Sequence, residues 1–310
     1  MTRALVCGGA GFIGFNLCDR LLSDGHTVFC LDNMSAGRTD TVNYLSGRYK
    51  KFTFLDGDIR HQDTVGFILD TFRPDVIFNE AASKKNICLR DPREDCDVNA
   101  IGTLNLALMA KERGVKKFIH ASTGSVYGPL QESPQTEKHP IAPCSYYGVS
   151  KFAGERYVDF MNLNTVILRY FHVYGPWQDY SQDRGGVVAI WAHKIWRGEP
   201  IIIHGDGTQQ RSFTFVGDVV EANVRAMEGA FGLPEVYNCA SGLKIHLLEL
   251  IQILEKKIGK MAAIEFRPAL EGDIHTFDIS NEKIKDRYNM EFKSLEDGLD
   301  ETLGYYKPTN

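Results

Sequence analysis

The 310-residue chain has no apolar run approaching the roughly 18 residues that cross a bilayer, which excludes an α-helical membrane protein. The first strand pattern starts almost at Met1 (TRALVCGG), so no signal or transit peptide is expected and the expected location is cytoplasmic. Charge of one sign is also scarce: 35 Lys plus Arg stand against 40 Asp plus Glu, a formal net charge of −5. That balance leaves no electrostatic footprint for nucleic acid or a membrane surface, so an anionic ligand must be held locally. The seven cysteines are scattered without a C-x-x-C pair, and the nine histidines lack metal spacing such as H-E-x-x-H. Neither a disulfide framework nor a metal site is expected, and the thiols, Cys144 included, read as small residues in apolar contexts. Internal repeats, low-complexity tracts and Ser/Gly linkers are missing too, so any lobes should be packed rather than tethered.

What is there is alternation. Apolar β-rich runs at 4–7, 28–32, 52–56, 76–79, 117–122 and 165–171 are separated by helical patterns near 12–23, 62–72, 98–113 and 151–162. Strands this apolar suit a parallel sheet buried on both faces, and strand–helix alternation builds right-handed βαβ units. After Phe171 the rhythm breaks into a loop-rich stretch, a helix near 187–197, a strand at 201–204, an apolar run at 212–216 and helices near 218–230, 246–258 and 294–306. The predicted fold class is α/β: a Rossmann-like doubly wound parallel sheet with a smaller α/β C-terminal lobe. Residues 1–171, with 212–239 returning to them, are expected to form the dinucleotide-binding domain, and 172–211 with 240–310 the second lobe.

Two constellations carry chemistry. The first is Gly8-Gly9-Ala10-Gly11-Phe12-Ile13-Gly14 between the first strand and first helix. Gly8 permits the tight turn, Gly11 lets backbone approach a pyrophosphate, and Gly14 lets the helix pack close. The helix N-terminus then turns its amides and positive dipole end toward the phosphates. Asp32, closing the second strand with Asn33 behind it, is placed to accept ribose hydroxyls and to repel a 2′-phosphate, which favours NAD over NADP. Asp58 and Ile59, after the third strand, are candidates for the adenine edge. Taken singly, the glycines also suit a close-packed turn, Asp32 a strand-end turn and Asp58 an ordinary loop carboxylate.

The second constellation is Tyr147-Gly148-Val149-Ser150-Lys151. Residues i and i+4 share a helix face, so the Lys151 ammonium can approach the Tyr147 phenol and lower a pKa ordinarily about 10. The phenol then becomes a usable acid or base. A strand ending Ser122-Thr123-Gly124-Ser125-Val126-Tyr127-Gly128 can deliver a hydroxyl to the same place.

With these motifs in order, the sequence resembles the extended short-chain dehydrogenases/reductases of the NAD-dependent sugar-nucleotide epimerase/dehydratase family. The resemblance runs along nearly the whole chain: GGAGFIG, Asp32, Asp58-Ile59, EAA (80–82), Asn99 with GTLNL, STGSVYG, YYGVSK, RYFHVYGP, GDGTQQR and RP (267–268). It implies Tyr147 as catalytic base, Lys151 as its partner and holder of the nicotinamide ribose, and Thr123 as the hydroxyl bonded to the reacting sugar oxygen. It further implies cofactor contacts at Ala81, Ala82, Lys84 and Asn99, and substrate contacts at Lys85, Ser125, His172, Arg211 and Arg267. The two arginines would grip a diphosphate bidentately. Phe277 resembles a position where an aromatic narrows the sugar pocket, and exclusion of N-acetylated sugars is the expectation there.

Family members share oxidation at a sugar carbon, usually C4, and differ in the fate of the keto sugar. Dehydratases carry Asp-Glu after the catalytic Thr, decarboxylases tend to have a Glu there, and 3,5-epimerases place a Cys two residues before the segment's Tyr. Here Gly124 and Ser125 stand instead, and neither can act as those acids and bases. Elimination leaves an NAD-dependent 4-epimerase of a nucleoside-diphosphate sugar. A 4-dehydrogenase/reductase on the same residues, less readily a dehydratase, and a non-catalytic NAD-binding protein are the alternatives. Departures from the family pattern are Asn79-Glu80 where His is common, His172 where Asn is common, and Ser212 where Asp usually follows the arginine. Apolar faces on 98–113 and 151–162 imply a homodimer through the helices that dimerise in this family.

Overall fold

The structure is a computed structural model describing residues 1–83, 85–161, 163–181, 184–229, 234–269 and 274–307, the side chains of 85–87 excepted. The described chain divides into two compact units. The first comprises residues 1–126, 146–169 and 220–237, and the second 127–145, 170–219 and 238–310.

The first unit opens with β1 (Arg3–Cys7), α1 (Phe12–Ser23), β2 (Thr27–Asp32), α2 (Thr39–Arg48), β3 (Phe52–Asp56), α3 (Gln62–Phe72) and β4 (Val76–Asn79). It continues with α4 (Lys85–Arg90), α5 (Pro92–Cys96), a π-helical turn at Asp97–Gly102, α6 (Thr103–Glu112), β5 (Lys117–Thr123), α7 (Tyr146–Phe160) and β6 (Thr165–Tyr170). The second unit contributes β7 (Val173–Tyr174), α8 (Val187–Arg197), β8 (Ile201–His204), β9 (Gln210–Arg211) and β10 (Thr214–Phe215). Then follow α9 (Val216–Glu228), β11 (Glu235–Cys239), β12 (Ile245–His246), α10 (Leu247–Ile258), β13 (Ile264–Arg267), α11 (Glu282–Tyr288) and α12 (Leu295–Tyr306).

The seven-stranded sheet runs β11-β6-β5-β4-β1-β2-β3. Strand pairs β1–β2, β1–β4, β2–β3 and β4–β5 are all parallel. Every residue of β4, β5 and β6 is buried, the polar Lys117, His120 and Arg169 included, as central strands of a parallel sheet covered on both faces require. β3 departs from that expectation, its residues being half-buried or exposed, because it is the outer strand with β2 as its one neighbour. The helices bury one stripe each; on α1 it consists of Gly14, Phe15, Leu17, Cys18, Leu21 and Leu22, near the 3.6-residue period.

Chain order reverses between β1 and β4, which opens a crevice beyond their carboxyl ends where open α/β sheets bind ligands. Two features differ from the sequence expectation here. The helix expected over 98–113 begins with the π turn, an extra residue that turns Asn99 fully inward. α2, which the alternation did not announce, covers the far side of the glycine loop, its Thr41 hydroxyl donating to Ala10 O at 3.0 Å.

In the second unit the expected strand at 212–216 shrinks to Thr214–Phe215, paired with β7. β11, whose first three residues belong to the first unit, supplies the seventh strand of the large sheet. β8 pairs parallel with β13, and β9 antiparallel with β12. Residues 127–145 are tied down by Asn238, whose Nδ2 donates to Gln135 O (3.0 Å) and whose Oδ1 accepts from the Tyr127 hydroxyl (2.6 Å). Five cysteines are buried, but Cys96 and Cys144 are exposed, which corrects the apolar reading of Cys144.

Behind the reactive end of β5, Glu155 on α7 accepts a fork from Arg169 on β6 (Nε 2.9 Å, Nη2 2.7 Å) and a bond from the Ser122 hydroxyl. Both charged side chains are buried. Removing one member of such a pair strands a buried charge, which costs about 3–5 kcal/mol, whereas replacing both by apolar residues is often neutral. Arg169→Met should therefore lower unfolding free energy by about 3 kcal/mol or more, and adding Glu155→Leu should restore most of it, as read by urea titration.

Candidate active site

The glycine loop is shaped by backbone crowding. Gly8 has φ +79°, and a Cβ there would sit 2.7 Å from Ala81 N and Glu80 C, because the chain leaving β4 passes directly against it. A Cβ on Gly14 would collide with Gly8 O, so α1 rests on the loop itself. Gly11 is the N-cap of α1, brings no side-chain cap, and is followed by a first turn without acidic residues. The amides of Phe12, Ile13 and Gly14 thus head a helix with nothing of the chain's own to satisfy them from a capping side chain, the arrangement that suits a diphosphate.

Asp32 lies at the end of β2, buried, with Oδ2 accepting from Ala10 N (3.0 Å) and Oδ1 from Met34 N (2.9 Å). Burial raises its pKa, against the pull of these backbone amides. Asn33 donates to Asp58 Oδ2 at 2.7 Å, and Arg60 grips Asp58 through Nε (3.0 Å) and Nη2 (2.8 Å). These bonds outweigh burial and hold the Asp58 carboxyl near a pKa of about 2. Ile59 is buried alongside, Ala81 and Ala82 are half-buried after β4, and Lys84 lies outside the described residues.

Thr123 ends β5, and Tyr147 and Lys151 are carried on α7, which begins five residues earlier than the expected helix and so includes the tyrosine. Thr123 Oγ1 accepts from Ser125 N (3.2 Å) and lies 3.3 Å from Ser125 Oγ, and it is close enough to the Tyr147 phenol to favour its ionised form. Lys151 is buried, and its Nζ donates to Ala121 O at 2.6 Å. Tyr147 as a whole residue is partly exposed, yet its phenol is enclosed, and burial pushes it up to about 12. The expectation that Lys151 lowers this pKa is thus not met in the protein alone: desolvation outweighs the Thr123 hydroxyl, and Asp95 and Cys88 push the same way as desolvation. Burial likewise brings Lys151 down to about 8, opposed by the charges of Glu80, Glu155 and Asp95.

Asn99 joins these elements: its Oδ1 accepts from Ser83 N (2.9 Å), and its Nδ2 reaches Asp95 Oδ1 and Ser150 Oγ, both at 3.0 Å. Gly154 allows α7 to come this close, since a Cβ there would stand 2.8 Å from Asn99 O.

Within the second unit, Arg211 on β9 is buried, donating through Nη1 to Ile274 O (2.8 Å) and Gln210 O (2.9 Å), with its guanidinium 5.8 Å from the Phe277 ring. His172, at φ +38°, sets its ring 5.1 Å from Phe277 and 5.8 Å from Phe213. Arg267 is different: it is exposed on β13 and paired with Glu265 at 2.9 Å. The side chain of Lys85 lies outside the described residues.

Residues 4–240 match the NAD dependent epimerase/dehydratase family. The UDP-glucose 4-epimerase of Mycolicibacterium smegmatis is 36% identical over 314 residues, covering 98% of each chain. The crystal structure of Thermotoga maritima UDP-glucose 4-epimerase with UDP-glucose superposes with a TM-score of 0.92 at 35% identity, again over 98% of each chain. That of the Thermus thermophilus UDP-glucose 4-epimerase in complex with NAD gives 0.91 at 32%, covering 99% of this chain and 100% of the other. The chain belongs to the NAD dependent epimerase/dehydratase family.

The cofactor of this family fits the residues present: an uncapped helix start for the diphosphate, a buried carboxylate at the end of β2 for the ribose, and a hydroxyl–phenol–ammonium set on β5 and α7. Sequence reading missed the polar shell beneath that set, namely Asp95, Ser150, Glu155 and His120. His120, Ser150 and Glu155 lie within apolar or motif-bearing stretches and Asp95 within the charged run 90–97, and no spacing rule marks such a polar residue as buried before its helix is placed.

Lys151 has a folded pKa below its unfolded value, so the folded chain binds fewer protons between about pH 8 and 10.5, and stability must rise with pH across that window. Relative to Lys151→Met, the cofactor-stripped wild type should gain up to about 3 kcal/mol between pH 8 and 10.5. Urea unfolding at both pH values checks this; equal slopes for the two proteins would contradict it.

Proposed function

We propose that the protein is a NAD-dependent 4-epimerase of a nucleoside-diphosphate hexose, with a UDP-sugar as substrate. The observation that carries this reading is the enclosed Tyr147 phenol one helical turn from buried Lys151, with the Thr123 hydroxyl close enough to favour its ionisation, followed by Gly124 and Ser125, which offer no acid or base for elimination. In this reading Thr123 orients the C4 hydroxyl and Tyr147 removes its proton. Bound NAD supplies the hydride acceptor and later returns the hydride. Tyr147 holds the proton until the keto sugar has turned over, then gives it back to O4, so nothing leaves the site. Lys151 has two donors left beyond Ala121 O, and its charge is what the phenol needs to ionise once a ligand has displaced water. The first unit carries the cofactor and the reaction.

Purified protein should interconvert UDP-glucose and UDP-galactose by NMR without added NAD, and Tyr147→Phe should lower kcat by about 10²–10⁴-fold with a much smaller change in KM. Stoichiometric consumption of added NAD would instead establish the dehydrogenase reaction.

A homodimer completes the proposal. Ile101 (41% exposed) and Leu108 (41%) lie seven residues apart at the π turn and α6, and Val149 (54%) and Phe160 (66%) lie three turns apart on α7. These apolar side chains stand in solvent on adjacent helices, and a second copy covering them would bury both stripes. Sedimentation equilibrium should give twice the 34.8 kDa chain mass.

A further inference from the structure

Three carboxylates raise the charge affinity of Lys151: Glu80 after β4, Glu155 one turn along α7, and Asp95 on α5. They are not equivalent. Glu155 is spent on Arg169, which forks onto both its oxygens. Glu80 is half-buried at the loop edge, where solvent screens it. Asp95 is wholly buried on a helix packed against α7, and no cation is bonded to it among the described residues. Its Oδ1 accepts from Asn99 Nδ2 at 3.0 Å, while among the described residues Oδ2 makes no hydrogen bond. Ser83 and Ser150 hydroxyls lie near enough to bias it toward ionisation, with Lys151 acting in the same direction, although burial prevails. A buried carboxyl without a full set of partners costs stability, and this one sits where its charge is felt by both reactive side chains.

We propose that Asp95 is a positioning residue of the reaction: it holds Asn99, and through Asn99 the Ser150 hydroxyl, against α7, and it is the counter-charge that keeps buried Lys151 an ammonium. This rests on the epimerase reading for the reaction itself, but not for the charge coupling. Among the described residues, the charges acting on Lys151 are those of Glu80, Glu155 and Asp95, with neutral His120 on β5 near it, and Asp95 and the Cys88 thiol on α4 act on Tyr147. An anion so placed makes both the ammonium and the phenol harder to deprotonate. Asp95 therefore sets the pH range of the Tyr147–Lys151 pair upward, and removing its charge moves both groups down together.

Asp95→Asn keeps an oxygen for Asn99 Nδ2 and removes only the charge. In the NAD-bound protein labelled with ¹³C-tyrosine, the Tyr147 resonance, assigned through Tyr147→Phe, should titrate about one unit lower in Asp95→Asn than in wild type. The alkaline limb of the UDP-galactose epimerisation profile should fall by a similar amount. A merely structural Asp95 would change kcat at every pH and leave both midpoints in place, and that result overturns the proposal. If Asp95→Asn does not fold, the wild-type Tyr147 resonance must still show a second, smaller inflection as Asp95 ionises, and its absence overturns the proposal equally. A protein that epimerises no UDP-sugar but shows the Tyr147 shift refutes the reaction while upholding the coupling.

Discussion

Everything in the first unit is arranged around one buried ammonium. Lys151 has lost its water, so its charge must be balanced by the protein or abandoned. The backbone oxygen of Ala121 accepts one hydrogen bond from it, and carboxylates arrive from three separate places, just after β4, on α5 and on α7. A lysine so held sits near its own pKa at physiological pH. It is thus charged enough to act on a phenol but costly enough that the surroundings must be built for it. The buried Glu155–Arg169 pair is part of that construction, since it fixes α7 to β6 on the side away from the reaction.

The second constraint is steric. The reversal of strand order between β1 and β4 brings two loops to one crevice, and the glycine loop survives there only because Gly8 has no side chain to collide with Ala81. That contact ties the cofactor loop to the segment leading into α4 and α5, the helices that carry Cys88 and Asp95.

Most of the sheet was legible because parallel central strands are predominantly apolar runs, and six of its seven strands were placed within a residue or so. β11 was not, since Glu235-Val-Tyr-Asn-Cys is short, mixes polar with apolar residues without a clear period, and has too few consecutive apolar residues to read as a buried central strand, although Gly229, Gly232 and Pro234 mark a break before it. α2, with two buried residues, has too narrow an apolar stripe to declare itself. In the site, residues recognised by spacing (the glycines, Tyr147, Lys151) could be named from the string, because i to i+4 on a helix is local geometry. Their acidities could not, because they depend on how much water is removed and on charges such as Asp95, 52 positions from Tyr147 in sequence.

The departures from the family pattern become intelligible as contacts. Asn79 occupies a position where histidine is common, and its register partner on the neighbouring strand is His120. Asn79 Nδ2 lies 3.3 Å from His120 Nδ1 and 3.1 Å from Thr103 Oγ1. An imidazole is thus present on the neighbouring strand, with the Asn79 amide paired to it. Burial and the nearby Lys151 push its pKa far below the ordinary value, so the ring stays neutral and adds no second cation beside the ammonium. A charged imidazole at that depth would compete with Lys151 for the same carboxylates. Keeping His120 neutral leaves their field to Lys151 alone.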